Sequence, residues 1–153
     1  MDLKKAMRAS ISEVLETMFF LTLQFEDQCK LEECGLLDIE RIYACKLDFK
    51  GKFSGYFTVF IPEEVLIIMA ENFMGEERDN LTSDHIEGTI KEVINMVAGS
   101  TFSNYNSEIV FNLGIPKMIK IDANQLKKQD DGDDFCLIET TDGFLFFKIF
   151  LLN

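Results

Sequence analysis

The chain has 153 residues, 47% of them hydrophobic and 15 of them Phe, which suits a real core in a single domain over 1–153. Its formal net charge of −12 disfavours nucleic acid and anionic membranes as partners, since both reward a basic surface. Four Cys without a C-x-x-C pair and one His argue against a zinc site and for reduced thiols in a cytoplasmic protein.

The opening "MDLKKAMRAS" lacks the apolar run and cleavage site of a secretory signal, and no apolar stretch is long enough to span a bilayer. A helical apolar pattern runs from near Leu3 to about Leu23. "IERIYACKLDF" and "KFSGYFTVFI" alternate as strands and join at Lys50–Gly51 as a hairpin. Pro62 opens the next helix, with Glu63 and Glu64 at its positive end, and Gly75 closes it. Thr82 or Ser83 caps a long helix that reaches Asn104. "EIVFNLG" and "PKMIKID" read as short strands, "QLKKQDDGDD" as a solvated loop, and "FCLIETTDGFLFFKIFLL" as a hairpin turning at Asp142–Gly143. The order helix, hairpin, helix, hairpin, with "SEVLETMFF" lying over "KEVINMVAG", predicts an internal duplication. The fold class is therefore α+β, with two motif helices packed together on an antiparallel sheet.

The long helix "HIEGTIKEVINMVAGSTFSN" is unusual on its outer side. At about 100° per residue, Ile86, Ile90, Val93, Ile94, Val97 and Thr101 form the core face. The other side carries His85, Gly88, Glu92, Asn95, Met96, Gly99 and Ser103. Glu92 and Asn95, three apart, are neighbours on the surface. Each glycine inside a helix costs about 1 kcal/mol against alanine. Either the glycines admit the protein's other motif helix, or they keep a strip low so that a partner can reach Glu92 and Asn95. Met96 would add adaptable apolar contact.

The core E-x-x-N-x-x-x-G of "EVINMVAGSTFSN" resembles the signature helix of the CheC/CheX/FliY family of chemotaxis phosphatases. "GKFSGYFTVFIPEEVLIIMAENFMG" is similar to the same family, closest to its CheX branch: a hairpin strand, then a helix ending in Met-Gly before the signature helix. The resemblance implies a CheC-like duplicated fold and a phosphatase acting on a phosphorylated CheY-like receiver domain. It places the family's acidic residue on Glu92 and its amide on Asn95, while Gly88 stands where the family often has Asp or Ser; Gly88, Met96, Gly99 and Ser103 are the expected partner-binding residues around the pair. It also implies that this chain holds no metal, a divalent ion (Mg) being the receiver's, and it suggests a homodimer. In the first helix Glu13 matches, but Glu16 replaces the amide and Phe20 stands where the other copy has Gly99.

An acyl phosphate is labile, so its hydrolysis needs little beyond a water in line with phosphorus. An asparagine amide both donates and accepts hydrogen bonds and need not titrate. Glu92 would pair with the receiver's lysine and set the register. The alternative is a non-catalytic response-regulator or flagellar-switch binding module of the same fold, because docking and hydrolysis would use one stripe. Asp130, Asp131, Asp133 and Asp134 carry oxygens for calcium but lack the spaced EF-hand pattern, so a solvated loop is the reading there.

Overall fold

The computed structural model describes residues 2–130 and 135–152, the side chains of Ala123 and Asp130 excepted. Helix α1 spans Leu3–Met18, and the Asp2 carboxylate caps it by accepting from the Lys5 amide at 2.8 Å. Ala6, Met7, Ser10, Ile11, Val14 and Leu15 recur every three or four residues and form its buried face. The helix ends five residues short of the Leu23 expected from the apolar pattern. Phe20 turns the chain with φ +55°, the left-handed position usually given to glycine. Asn72 donates to the freed carbonyl of Phe19 at 2.8 Å, and Phe19 stacks on Phe73. The apolar run beyond this point is a strand the periodicity missed, β1 (Leu23–Glu26).

Strands β2 (Ile42–Lys50) and β3 (Ser54–Pro62) form the expected hairpin. Helix α2 (Glu63–Met74) follows, with Pro62 just before its first residue and Gly75 closing it at φ +66°. The long helix α3 spans Ser83–Tyr105. The two strands anticipated after it shrink to β4 (Asn112–Leu113) and β5 (Lys117–Ile119), because Gly114 and Pro116 interrupt the ladder. The segment read as a solvated loop begins instead as a short helix, α4 (Ala123–Lys127), capped by Asp122 and Gln125. Asp131, Asp133 and Asp134 lie outside the described residues. Strands β6 (Phe135–Thr140) and β7 (Gly143–Leu152) close the chain. Their loop is Thr141–Asp142, one residue earlier than the sequence suggested, with Gly143 at φ +142° already paired to Thr140.

All strand pairings are antiparallel, in the order β1-β6-β7-β3-β2, with β4 and β5 sharing the outer edge of β2. Read from either edge the order is the same: the first strand of one half, then the hairpin of the other half. The duplication is thus present but intertwined, with β1 on β6 and β4 on β2. Alternate residues of the central strands, such as Cys45, Leu47, Phe57, Val59, Phe147 and Ile149, face α1, α2 and α3 and build the main core. The other side of the sheet carries a smaller core of Ala44, Phe60, Leu137 and Phe146 beneath Leu31, Leu36 and Leu126. Burial on both sides explains why β7 reads as a continuous apolar run. Helices α1 and α3 lie against each other, tied by Asn104 donating to the Ser10 hydroxyl at 2.9 Å.

Candidate functional site

The phase of α3 is set at its first turn. The Thr82 hydroxyl accepts from the His85 amide at 3.2 Å, and the Thr82 amide donates to His85 Nδ1 at 3.1 Å. This reciprocal cap gives His85, otherwise without an obvious task, a structural role. With that start, Ile86, Thr89, Ile90, Val93, Ile94, Val97, Ala98, Thr101 and Phe102 are buried. Phe102 joins an aromatic cluster, stacked on Phe111 with ring centroids 4.0 Å apart and edge-on to Phe49 and Phe57. The core face is wider than the predicted one by Thr89, Ala98 and Phe102, the first of which satisfies its hydroxyl on the His85 carbonyl at 2.7 Å.

The outer stripe is where the unusual residues fall. Gly88 and Ser103 are exposed, while Glu92, Asn95, Met96 and Gly99 are half-buried. Glu92 and Asn95 make no hydrogen bond or ion pair with any described residue. Their neighbours do: Lys91 pairs with Glu87 at 2.9 Å, one turn away on the same helix. A carboxylate and an amide three residues apart therefore keep their full hydrogen-bonding capacity for something else.

The glycines decide between the two accounts of the stripe. A Cβ built on Gly88 or on Gly99 meets nothing within 4 Å. Neither glycine admits the protein's own second helix, so the internal-packing account falls. Met96 is less available than its position suggested, since it packs partly against the main core. Gly99 and Ser103 border a shallow depression of about 230 Å³ that continues over Asn106, Val110 and Leu113. Val110, on its border, is 78% exposed, an apolar feature that sequence periodicity missed because it lies in the broken strand segment.

The matching positions on α1 are built differently. Glu13 and Glu16 are exposed, and Glu16 is engaged by the Ser12 hydroxyl at 3.0 Å. Phe20 projects with 69% exposure where α3 has an unobstructed glycine. Among the described residues no group of three His, Cys, Asp or Glu could hold a metal ion. No helix among them is long and apolar enough to cross a membrane.

Comparison with known proteins adds an independent line. The family model for the chemotaxis phosphatase CheX matches residues 43–139. No protein of curated function matches the sequence. Among solved structures, chemotaxis protein CheX from Vibrio vulnificus is similar with a TM-score of 0.75 and 18% identity, over 99% of this chain and 97% of that one. The CheX of Borrelia burgdorferi, solved as a CheX-CheY-BeF3-Mg2+ complex, gives 0.68 and 15%, over 99% of each chain. FliY from Thermotoga maritima gives 0.58 and 14%, over 95% of this chain and 84% of that one. At such identities the structures speak for the shared fold alone.

Proposed function

The chain belongs to the CheX family of chemotaxis phosphatases, and from that premise we propose that it dephosphorylates a CheY-like receiver domain through the outer stripe of α3. The observation that carries the proposal is the pair Glu92 and Asn95. Both are solvent-accessible and unengaged by described residues, beside two glycines with open space above them. The Borrelia relative, whose complex contains CheY, BeF3 and Mg2+, supports a receiver as the partner.

The chemistry asks for positioning. The receiver's aspartyl phosphate is an acyl phosphate, and water must attack phosphorus opposite the carboxylate oxygen that leaves. The Asn95 amide orients that water, its oxygen accepting a water proton and its NH2 donating toward a phosphoryl oxygen. Placement of this kind accounts for several kcal/mol of barrier when the reacting atoms are near attack distance. Glu92 pairs with a receiver lysine and fixes the register. Gly88 and Gly99 keep the helix surface low, and Ser103 with Met96 borders the contact. The divalent ion belongs to the receiver. Phe20 and the engaged Glu16 make the α1 copy unsuited to the same task.

The test is a panel of receiver domains charged with a small-molecule phosphodonor in Mg2+. Decay of the phosphorylated form is followed with and without this protein, and binding is measured in parallel. Acceleration that depends on Asn95 supports the reading. A receiver that binds through the stripe without faster decay would establish the binding-module alternative.

A further inference from the structure

The sheet face turned away from α1 and α3 is covered at one end by the small second core. At the margin of that core a single cross-strand row reads Lys117, Lys46, Thr58, Lys148, running from β5 through β2 and β3 to β7. Directly opposed residues on neighbouring strands point to the same face, so three ammonium groups share it. Like charges opposite one another, as Lys46 and Lys117 are, destabilise a sheet. Next to the row lies a cleft of about 380 Å³, lined by Lys46, Thr58, Lys120, Gln125, Lys128 and Gln129 above Phe60 and Ile119. Among the described residues no carboxylate lines it.

The lysines are also placed unusually. The Lys46 ammonium lies 4.2 Å from the centroid of the Tyr56 ring, which is itself stacked on Phe150. Among the described residues its ion-pair partner is Asp48, at 3.8 Å. Lys117, Lys120, Lys128 and Lys148 make no ion pair with any described residue.

We propose that this cleft binds a phosphorylated small molecule bearing at least two negative charges. Three lysines in the lining, Lys46, Lys120 and Lys128, together with the amides of Gln125 and Gln129 and the Thr58 hydroxyl, suit a compact cluster of oxygens. The volume is within the range of small-molecule sites. An acidic polypeptide finds little ladder here: β3 and β7 have both edges paired, and β5, whose outer edge pairs with no described strand, spans just Lys117–Ile119. The adjacent phosphates could come from a nucleotide or from an inorganic polyphosphate. The site stands on the opposite side of the sheet from Glu92 and Asn95, and the proposal does not depend on the phosphatase reading.

Calorimetric titration of the full chain with pyrophosphate, ATP, adenosine and an oligoglutamate peptide tests it. The expected result is saturable one-to-one binding of pyrophosphate or ATP and none of adenosine. Equal affinity for the two would point to the phosphates alone, and tighter binding of ATP to a nucleotide; both support the site. The exposed double variant Lys120→Glu/Lys128→Glu should weaken binding by about tenfold or more, as charged hydrogen bonds are lost. Lys46→Gln should weaken it too, with the urea midpoint of each variant confirming an intact fold. The proposal is overturned if neither probe saturates by about 1 mM, or if charge reversal leaves the affinity unchanged. It is equally overturned if only an oligoglutamate peptide binds, or if the reversal merely dissociates a dimer whose wild type takes up no phosphate.

Discussion

Replacing Gly88 and Gly99 by alanine should stabilise the protein while impairing its reaction with a receiver. Both positions are interior to α3, both have ordinary helical φ, and a Cβ at either has at least 4 Å of free space. Nothing therefore opposes the helix-propensity gain of about 1 kcal/mol per site. For a chain of this size 1 kcal/mol raises the melting midpoint by roughly 2–4 °C, so the double variant should gain about twice that. The same substitution elsewhere should have the opposite sign. At Gly55 a Cβ would fall 2.0 Å from the Phe150 carbonyl oxygen across the β3–β7 ladder, and at Gly75 the helix end requires φ +66°. Urea and thermal unfolding of the four variants measure the first part, and decay of a phosphorylated receiver measures the second. A lowered midpoint for Gly88→Ala or Gly99→Ala would mean that the space above them is occupied in solution. Stabilisation with undiminished receiver turnover would refute the reason given for the glycines.

Asn95→Ala should change stability by no more than about 0.5 kcal/mol, since the side chain is half-exposed and has no described partner. It should slow receiver dephosphorylation by about 100-fold, the scale of a lost transition-state donor, with binding largely kept. Glu92→Ala should weaken both binding and turnover, whereas Glu16→Ala, on the α1 copy, should leave both unchanged in the same assays. Phe20→Gly should be neutral or stabilising by up to about 1 kcal/mol in urea unfolding, because it removes a left-handed aromatic that is 69% exposed. Burial lifts the Cys45 thiol from 9.0 to about 11. The folded protein therefore holds this proton more tightly than the unfolded chain, so the contribution is complete below pH 9 and lost as pH rises toward 11. Native Cys45 should resist alkylation at pH 8 and react on unfolding, as peptide mass mapping would show.

Where local chemistry decides an element, the sequence was sufficient. Thr82 marked the start of α3, Gly75 the end of α2, and the repeat of 3.6 separated Ile90, Val93, Ile94 and Val97 from the Glu92–Asn95 side. Where tertiary contacts decide, it was not. The end of α1 depends on Asn72, which is 53 residues away and caps the Phe19 carbonyl. β1 exists as a strand because β6, more than a hundred residues later, offers Leu137–Thr140 as its partner. No periodicity within "FFLTLQFE" contains that information. The duplicated order of elements was legible, but the exchange of β1 and β4 between halves was not, since pairing is a property of the closed sheet. The basic row on the far face escaped for the same reason: Lys46, Lys117 and Lys148 are distant in sequence and meet only through the register of four strands.

The two halves show how a duplicated fold can keep one surface and release the other. The core faces of α1 and α3 are under a common constraint, because both helices must cover the same sheet and each other. Their buried positions are accordingly mostly apolar, with Ser10 and Thr101 turned inward onto backbone carbonyls one turn earlier. The outer faces have no such constraint, and there the halves diverge. On α1 a carboxylate is tied down by Ser12 and the helix ends early at a projecting Phe20. On α3 a carboxylate and an amide stand unengaged, and two glycines retain a destabilising choice for which the fold gives no internal reason. A fold under selection for stability alone would replace those glycines readily, since the space is open and the gain is about 1 kcal/mol each. The proposed function supplies a reason from outside the chain: a receiver that has to come close to α3.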